Sequence, residues 1–178
     1  MGWKKVKEHY RIEHTVQVCN NCIWIGAGYI PDGIVISFAG QILKRFDSCI
    51  NDDMQRYQQA IERDSTLFRQ LLEQPDQFTK SITVYTFKDG DIVEKLCEEL
   101  GWPNVTHDGL LMYNNYFSTD KQVVIAWAKA NAAAAVAGYQ RSVADAEKTL
   151  AEYRTELAAQ EAYLAKLNAL PTQEVASN

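Results

Sequence analysis

The run QVCNNCIWIGAG, residues 17 to 28, places Cys19 and Cys22 at the spacing of half a zinc site. A structural zinc site wants four ligands, commonly as two pairs. The other ligand types, Cys49, Cys97, His9, His14 and His107, are scattered singly. No metal and no cofactor is therefore expected, and the two cysteines read as hairpin residues. In the same run Gly26 and Gly28 have the spacing of the first two glycines of a dinucleotide loop. That loop needs a third glycine and a following helix. Pro31 holds the third position and a strand-like run follows, so a nucleotide loop is not expected.

Two further groupings raise catalysis. His107-Asp108 joins a base to a carboxylate, the combination a small hydrolase would use, and Cys49 precedes Asp52 and Asp53. A nucleophile, a base and an orienting group must converge in space, and no G-x-S-x-G, H-E-x-x-H or phosphate-loop pattern accompanies them. Asp52 and Asp53 suit the first turn of a helix, where acids meet the positive end of its dipole. His107-Asp108 before Gly109 suits a turn. A non-enzymatic protein is the expectation, with hydrolysis by His107 and Asp108 the minor reading. The run MYNNYF mixes aromatic and amide side chains, a composition favoured at recognition surfaces. Tyr113, Tyr116 and Phe117 are its candidate partner contacts. Trp24, Trp102 and Trp127 read as core fillers.

The elements that must position these residues follow from period and punctuation. Tyr10, Ile12, His14, Val16 and Val18 alternate with polar residues, which predicts a half-buried strand over 10–18. Asn20-Asn21 predicts a two-residue hairpin turn, because both tolerate left-handed backbone. CIWIGA, IVISF and QILKRF continue an antiparallel meander, with a turn at Pro31-Asp32-Gly33. Residues 51–74 change to helical spacing, broken near Asp64-Ser65-Thr66 and ended by Pro75. SITVYTF predicts a strand and DGDIVEKLCEELGWP a short amphipathic helix with Ile92, Val93, Leu96, Cys97 and Leu100 on one stripe. DGLLMYNNYF supplies one more strand.

The last third differs. Ser118, Thr119 or Asp120 can cap a helix that meets no proline until Pro171. Val136, Val143, Leu150, Leu157 and Leu164 recur every seven residues, as do Tyr139, Ala146, Tyr153, Gln160 and Leu167. Five such heptads predict a coiled coil, and these residues, Ala146 and Gln160 apart, are the candidate oligomerisation residues. In an in-register parallel pair Glu156 would face Glu161, so an antiparallel or higher-order arrangement stays open. A helix over 119–168 would run about 70 Å, against a head about 35 Å across. Either a partner chain covers its stripe, or the chain folds back at Gly138. The expected organisation is a head over 1–117, a helix for oligomerisation over 118–170 and a disordered tail over 171–178. The expected fold class is α+β: an antiparallel sheet of four to six strands, two or three packed helices and the long C-terminal helix.

Composition narrows the function classes. The chain has 178 residues, of which 47% are hydrophobic and 23% charged, with a net charge of -5. These are ordinary globular proportions. The acidic balance disfavours nucleic acid, whose phosphates call for a basic face. The one basic cluster is at the start, where Lys4, Lys5, Lys7 and Arg11 stand against Glu8. No apolar run reaches the length of a membrane span, and the start lacks the apolar core of a secretory signal. A reducing, cytoplasmic setting with free thiols is expected.

The segment ELGWPNVTHDGLLMYNNYFSTDKQVVIAWAKANA, residues 99–132, followed by the Ala- and Glu-rich heptad helix to residue 168, resembles small accessory proteins of tailed phages. The resemblance implies action in the infected bacterial cytoplasm by binding a host protein, often one of a defence system, or by sequestering a small molecule. It carries over no catalytic residues. The leading expectation is a homo-oligomer that binds and inhibits a host protein. The alternative is a sponge for a nucleotide-type signalling molecule at a subunit interface, with Arg45, Arg56 and Arg69 supplying phosphate contacts.

Overall fold

A computed structural model describes residues 1–27, 32–47 and 51–170. The expectations placed on Gly28, Pro31, Cys49 and the tail over 171–178 lie outside the described residues. Two compact units separate: Met1–Ala128, and a second that begins at Lys129. The class is α+β; among the described residues there are antiparallel sheets of four, two and two strands and four helices.

The first unit opens with α1 (Trp3–His9). The strand expected from Tyr10 does not start there; β1 is Thr15–Cys19. A helix-ending motif at Arg11 explains the difference. Arg11 takes φ 51°, its N–H donates to Glu8 O, and the Ile12 N–H donates to Lys7 O. This is the left-handed helix terminus in which two orphan carbonyls are satisfied at once. The inward phase survives, since Tyr10, Ile12 and Val16 are all buried. β2 (Cys22–Gly26), β3 (Gly33–Ser37) and β4 (Ile42–Lys44) then form the expected meander. Cys19 sits opposite Cys22, and Asn21 turns the hairpin at φ 65°.

The register aligns Val16 with Ile25 and Ile34, and Val18 with Ile23 and Ile36. That face packs against α1, α2 (Asp52–Arg63) and α3 (Ser65–Glu73) through Val6, Tyr57, Ile61, Phe68 and Leu72. Each fully buried aliphatic side chain contributes about 1.5–3 kcal/mol. Helix starts are set by side chains: Asn51 accepts from Met54 N, and Asp64 from Leu67 N at 2.8 Å. The break between α2 and α3 falls where Asp64 caps.

The run from Asp91 is a strand, not the expected helix. β5 (Ile82–Lys88) pairs with β6 (Asp91–Cys97), Lys88 opposite Asp91 and Ile82 opposite Cys97. Asp89 and Gly90 both take positive φ, 52° and 93°. They make the tight primed turn whose twist matches antiparallel strands, so Asp89 is a turn residue. Alternation then decides the faces: Val93, Lys95 and Cys97 on one side, Ile92, Glu94 and Leu96 on the other. β7 (Asn104–Val105) pairs with β8 (Leu111–Met112).

The turn Thr106–Gly109 joins these pieces. Val18 N donates to Gly109 O at 2.8 Å, which ties the turn to the outer edge of β1. His107 N donates to Leu96 O at 2.7 Å, and Thr106 bridges to Cys97, which ties it to β6. Trp3 Nε1 donates to His107 O at 2.9 Å, which ties it to α1. Gly109 has φ 84°, and a Cβ there would lie 2.2 Å from Val18 Cγ2.

The last helix, α4, runs unbroken over Lys121–Asn168. Asp120 caps it by accepting from Gln122 N at 2.8 Å. Gly138 lies inside it, so the chain does not fold back there. No described helix is long and apolar enough to cross a membrane.

Gly109→Ala tests the joint. Gly90 also has positive φ, but nothing lies near the place of its Cβ. Gly90→Ala should therefore cost only backbone strain, about 1–2 kcal/mol. Gly109→Ala should cost more than Gly90→Ala, because Val18 must also move, as measured by the urea unfolding midpoints of the two variants.

Candidate functional site

The face of the β5–β6 hairpin that carries Val84, Thr86, Val93, Lys95 and Cys97 is only partly covered. Val84 and Cys97 are buried with Met112, and Ile82 and Phe117 pack on them. Beside this small core the chain leaves a groove of about 710 Å³. One wall is the hairpin, with Thr86, Phe87, Val93 and Lys95. The other is the segment 108–117, with Leu110, Leu111, Tyr113, Tyr116 and Phe117, and Val18 of β1 also lines it.

Local structure aims the second wall. Tyr116 N and Phe117 N both donate to Tyr113 O, at 3.0 and 3.2 Å, so the MYNNYF run closes into a turn. This brings Tyr113, Tyr116 and Phe117 to the same groove. The Tyr116 ring stacks on Phe87, with centroids 4.8 Å apart and planes 15° apart. Ser118 and Tyr85 exchange two backbone bonds, which fasten the end of the segment to the edge of β5. Tyr113 and Tyr116 remain 49% and 43% exposed, so their rings offer surface to a ligand while their backbone is held.

The groove carries one ion pair. Lys95 Nζ and the Thr106 hydroxyl both donate to the Asp108 carboxylate. Burial pushes the Asp108 carboxyl upward, but the bonds from Lys95 and Thr106 outweigh it and hold the group below its ordinary value. A carboxylate held in its charged form this way is a poor proton acceptor near neutrality. His107 is not its partner. The His107 ring stacks on Phe78 at 3.7 Å with planes 4° apart, and its Nε2 lies 3.1 Å from Lys80 O. The two adjacent residues thus point their side chains at different neighbours, and the hydrolase pairing suggested by their order has no counterpart in the fold.

The other sequence candidates are also placed. Cys19 and Cys22 face each other across the first hairpin. Burial pushes both thiols up, and Cys22 adds to the shift of Cys19. Among the described residues no three His, Cys, Asp or Glu side chains are grouped to hold a metal ion. Gly26 pairs with Gly33 at adjoining strand ends, and a Cβ on either would strike the Trp24 ring. Asp53 pairs with Arg56 at 3.0 Å, in the first turn of α2. Arg45 pairs with Glu62 at 2.6 Å and Arg69 with Glu73 at 3.9 Å. The three arginines lie on separate elements, each beside its own carboxylate, and none lines the groove. The heptad residues of α4 are exposed.

Sequence reasoning identified one wall of the groove and missed the other. Thr86 and Phe87 lie on the strand expected from SITVYTF, which by itself does not mark them as groove residues, while Val93 and Lys95 are hidden by the helical reading of DGDIVEKLCEELGWP. The signal that would have found them is Asp89-Gly90 between two apolar runs, the strongest short hairpin cue. No known family model, characterised protein or solved structure matches this chain.

The lowered Asp108 value fixes a pH effect. Its stabilisation is fully present above the unfolded carboxyl value, about 3.9, and is lost as pH falls through the lower folded value. Asp108→Asn should destabilise the protein at pH 7, and the gap to the parent should narrow by pH 3, as read from urea midpoints at both pH values. Because the carboxylate is half-exposed, added salt should also narrow the gap.

Proposed function

We propose that this protein is a non-enzymatic binding protein that associates with its own copies through α4 and inhibits a partner protein by capturing a segment of it in the groove beside Tyr113, Tyr116 and Phe117. The observation that carries this reading is the convergence of those three side chains on one wall of an apolar groove. Its volume, about 710 Å³, lies in the range that suits a compact ligand or a few residues of peptide. Tyrosines that are held at the backbone and open at the ring contribute much contact area at small entropic cost. The Lys95–Asp108 pair gives the groove a polar rim to fix the orientation of what enters.

The resemblance of residues 99–168 to phage accessory proteins supports a host protein as the partner, a defence protein in particular, and the bacterial cytoplasm as the setting. Sequestration of a nucleotide-type molecule is less well supported. It would need several cations converging in the groove; Lys95 is already matched by Asp108, Arg45, Arg56 and Arg69 are elsewhere, and Lys88 is the one further cation among the described lining residues.

Selection of a short random peptide library on the immobilised full-length protein tests the groove. Selected peptides should bind the parent, and Tyr116→Ala should weaken them about thirtyfold, the effect of a hot-spot residue contributing about 2 kcal/mol. Circular dichroism would show that the variant is folded. Peptides that bind the variant as well as the parent would contradict the reading. A thermal shift with cyclic nucleotides, absent with the peptides, would favour the sponge instead.

A further inference from the structure

The second unit carries a geometry that the heptad spacing alone leaves open. From Lys129 to Leu170 the helix side chains are exposed. Along the seam Val136, Leu150, Tyr153 and Leu164 are 49–65% exposed, and Tyr139 is 75% exposed. Gln140, Glu147, Arg154 and Glu161 flank the seam on one side; Ser142, Thr149, Glu156 and Tyr163 flank it on the other. The position after each Val or Leu of the first seam row is alanine without exception: Ala137, Ala144, Ala151, Ala158 and Ala165. The flank that holds Glu147 and Arg154 therefore has no bulk beside it.

We infer that the occupant of this seam is α4 of a second copy, running antiparallel, with the two-fold axis between Ala151 and Glu152. The inference rests on the reading that α4 self-associates, and adds its direction and register. This register uses all ten seam positions. Val136 meets Leu167 of the other copy, Val143 meets Gln160, Leu150 meets Tyr153, Leu157 meets Ala146 and Leu164 meets Tyr139. The large tyrosines face leucines, and the small Ala146 faces a leucine.

Charge selects the direction. In a parallel pair Glu156 faces Glu161 twice, with no opposite pair across the seam to offset it. In the antiparallel register the nearest charge to Glu147 across the seam is Arg154, offset by about 3 Å along the axis, and symmetry repeats the pair. Glu156 then lies beside Thr149. A parallel pair would also stack Tyr139 and Tyr153 on their own copies. Gln160 is the one seam residue that would pair better with itself. Removal of two like-charge contacts and gain of two opposite ones outweigh it, at a few tenths of a kcal/mol for each pair.

A mixture of ¹⁴N and ¹⁵N chains, treated with a short amine-reactive cross-linker, reads the direction without any substitution. In the antiparallel register Lys129 lies about 12 Å along the axis from Lys166 of the other copy, but about 55 Å from Lys166 of its own chain. The expected result is a mixed-isotope Lys129–Lys166 link, with a light-scattering mass twice the 20.2 kDa chain. Mixed-isotope Lys129–Lys129 and Lys166–Lys166 links would mean a parallel pair and overturn the inference while sparing self-association. A mass above two chains would overturn the two-stranded arrangement. A single-chain mass would overturn self-association itself.

Discussion

A four-residue turn, Thr106–Gly109, is the constraint on which the first unit depends. The four-stranded meander, the β5–β6 hairpin and the β7–β8 pair are separate sheets. Backbone bonds from this turn reach β1 and β6, and the Trp3 indole of α1 donates to it as well. Thr106 is fully buried, yet its hydroxyl donates to Asp108 and accepts from Leu110 N. Burial of a polar group is tolerable only when it is bonded in this way. Gly109 is required by its positive φ and by the Val18 side chain against it. The same turn places Asp108 against Lys95 and starts the wall that ends in Tyr116 and Phe117. The groove is thus a by-product of how three small sheets are fastened together.

The second unit is stabilised differently. It has no buried side chains from Lys129 to Leu170. Its helix rests on alanine, the best helix former, and on length, since long helices dilute the cost of nucleation. Ser142, Thr149 and Thr155 turn their hydroxyls back to carbonyls four residues earlier and so leave no unmet polar group. A single Gly138 in such a run costs only about 1 kcal/mol, which is why it does not interrupt the helix. Apolar residues kept at a strict seven-residue interval add only a few tenths of a kcal/mol per i,i+3 or i,i+4 pair to an isolated helix.

Much of this was legible in the sequence where one period dominated. The Asn20-Asn21 hairpin, the meander, the cap at Asp64, the first-turn acids Asp52 and Asp53 and the long helix follow from local chemistry. Residues 10–14 were misread because a buried helix exit and a strand can both put every second residue inward. Residues 91–97 were misread because Ile92, Val93, Leu96 and Cys97 fit a helical stripe and a strand equally, and the turn chemistry of Asp89-Gly90 had to decide. The aromatic wall was legible as composition. The groove was not, because it arises from Lys95 meeting Asp108 and Phe87 meeting Tyr116, contacts between residues 13 and 29 positions apart that no local pattern encodes.

The central claim is that the groove is preformed, held by the Thr106–Gly109 turn. Residue-resolved amide hydrogen exchange tests it most directly. The Val18 and His107 amides, which bond to or from that turn, should be as protected as Ile23 and Ile25 in the sheet core and open only with the whole unit. Exchange of Val18 and His107 at the rate of exposed loops, with Ile23 and Ile25 still protected, would contradict the account.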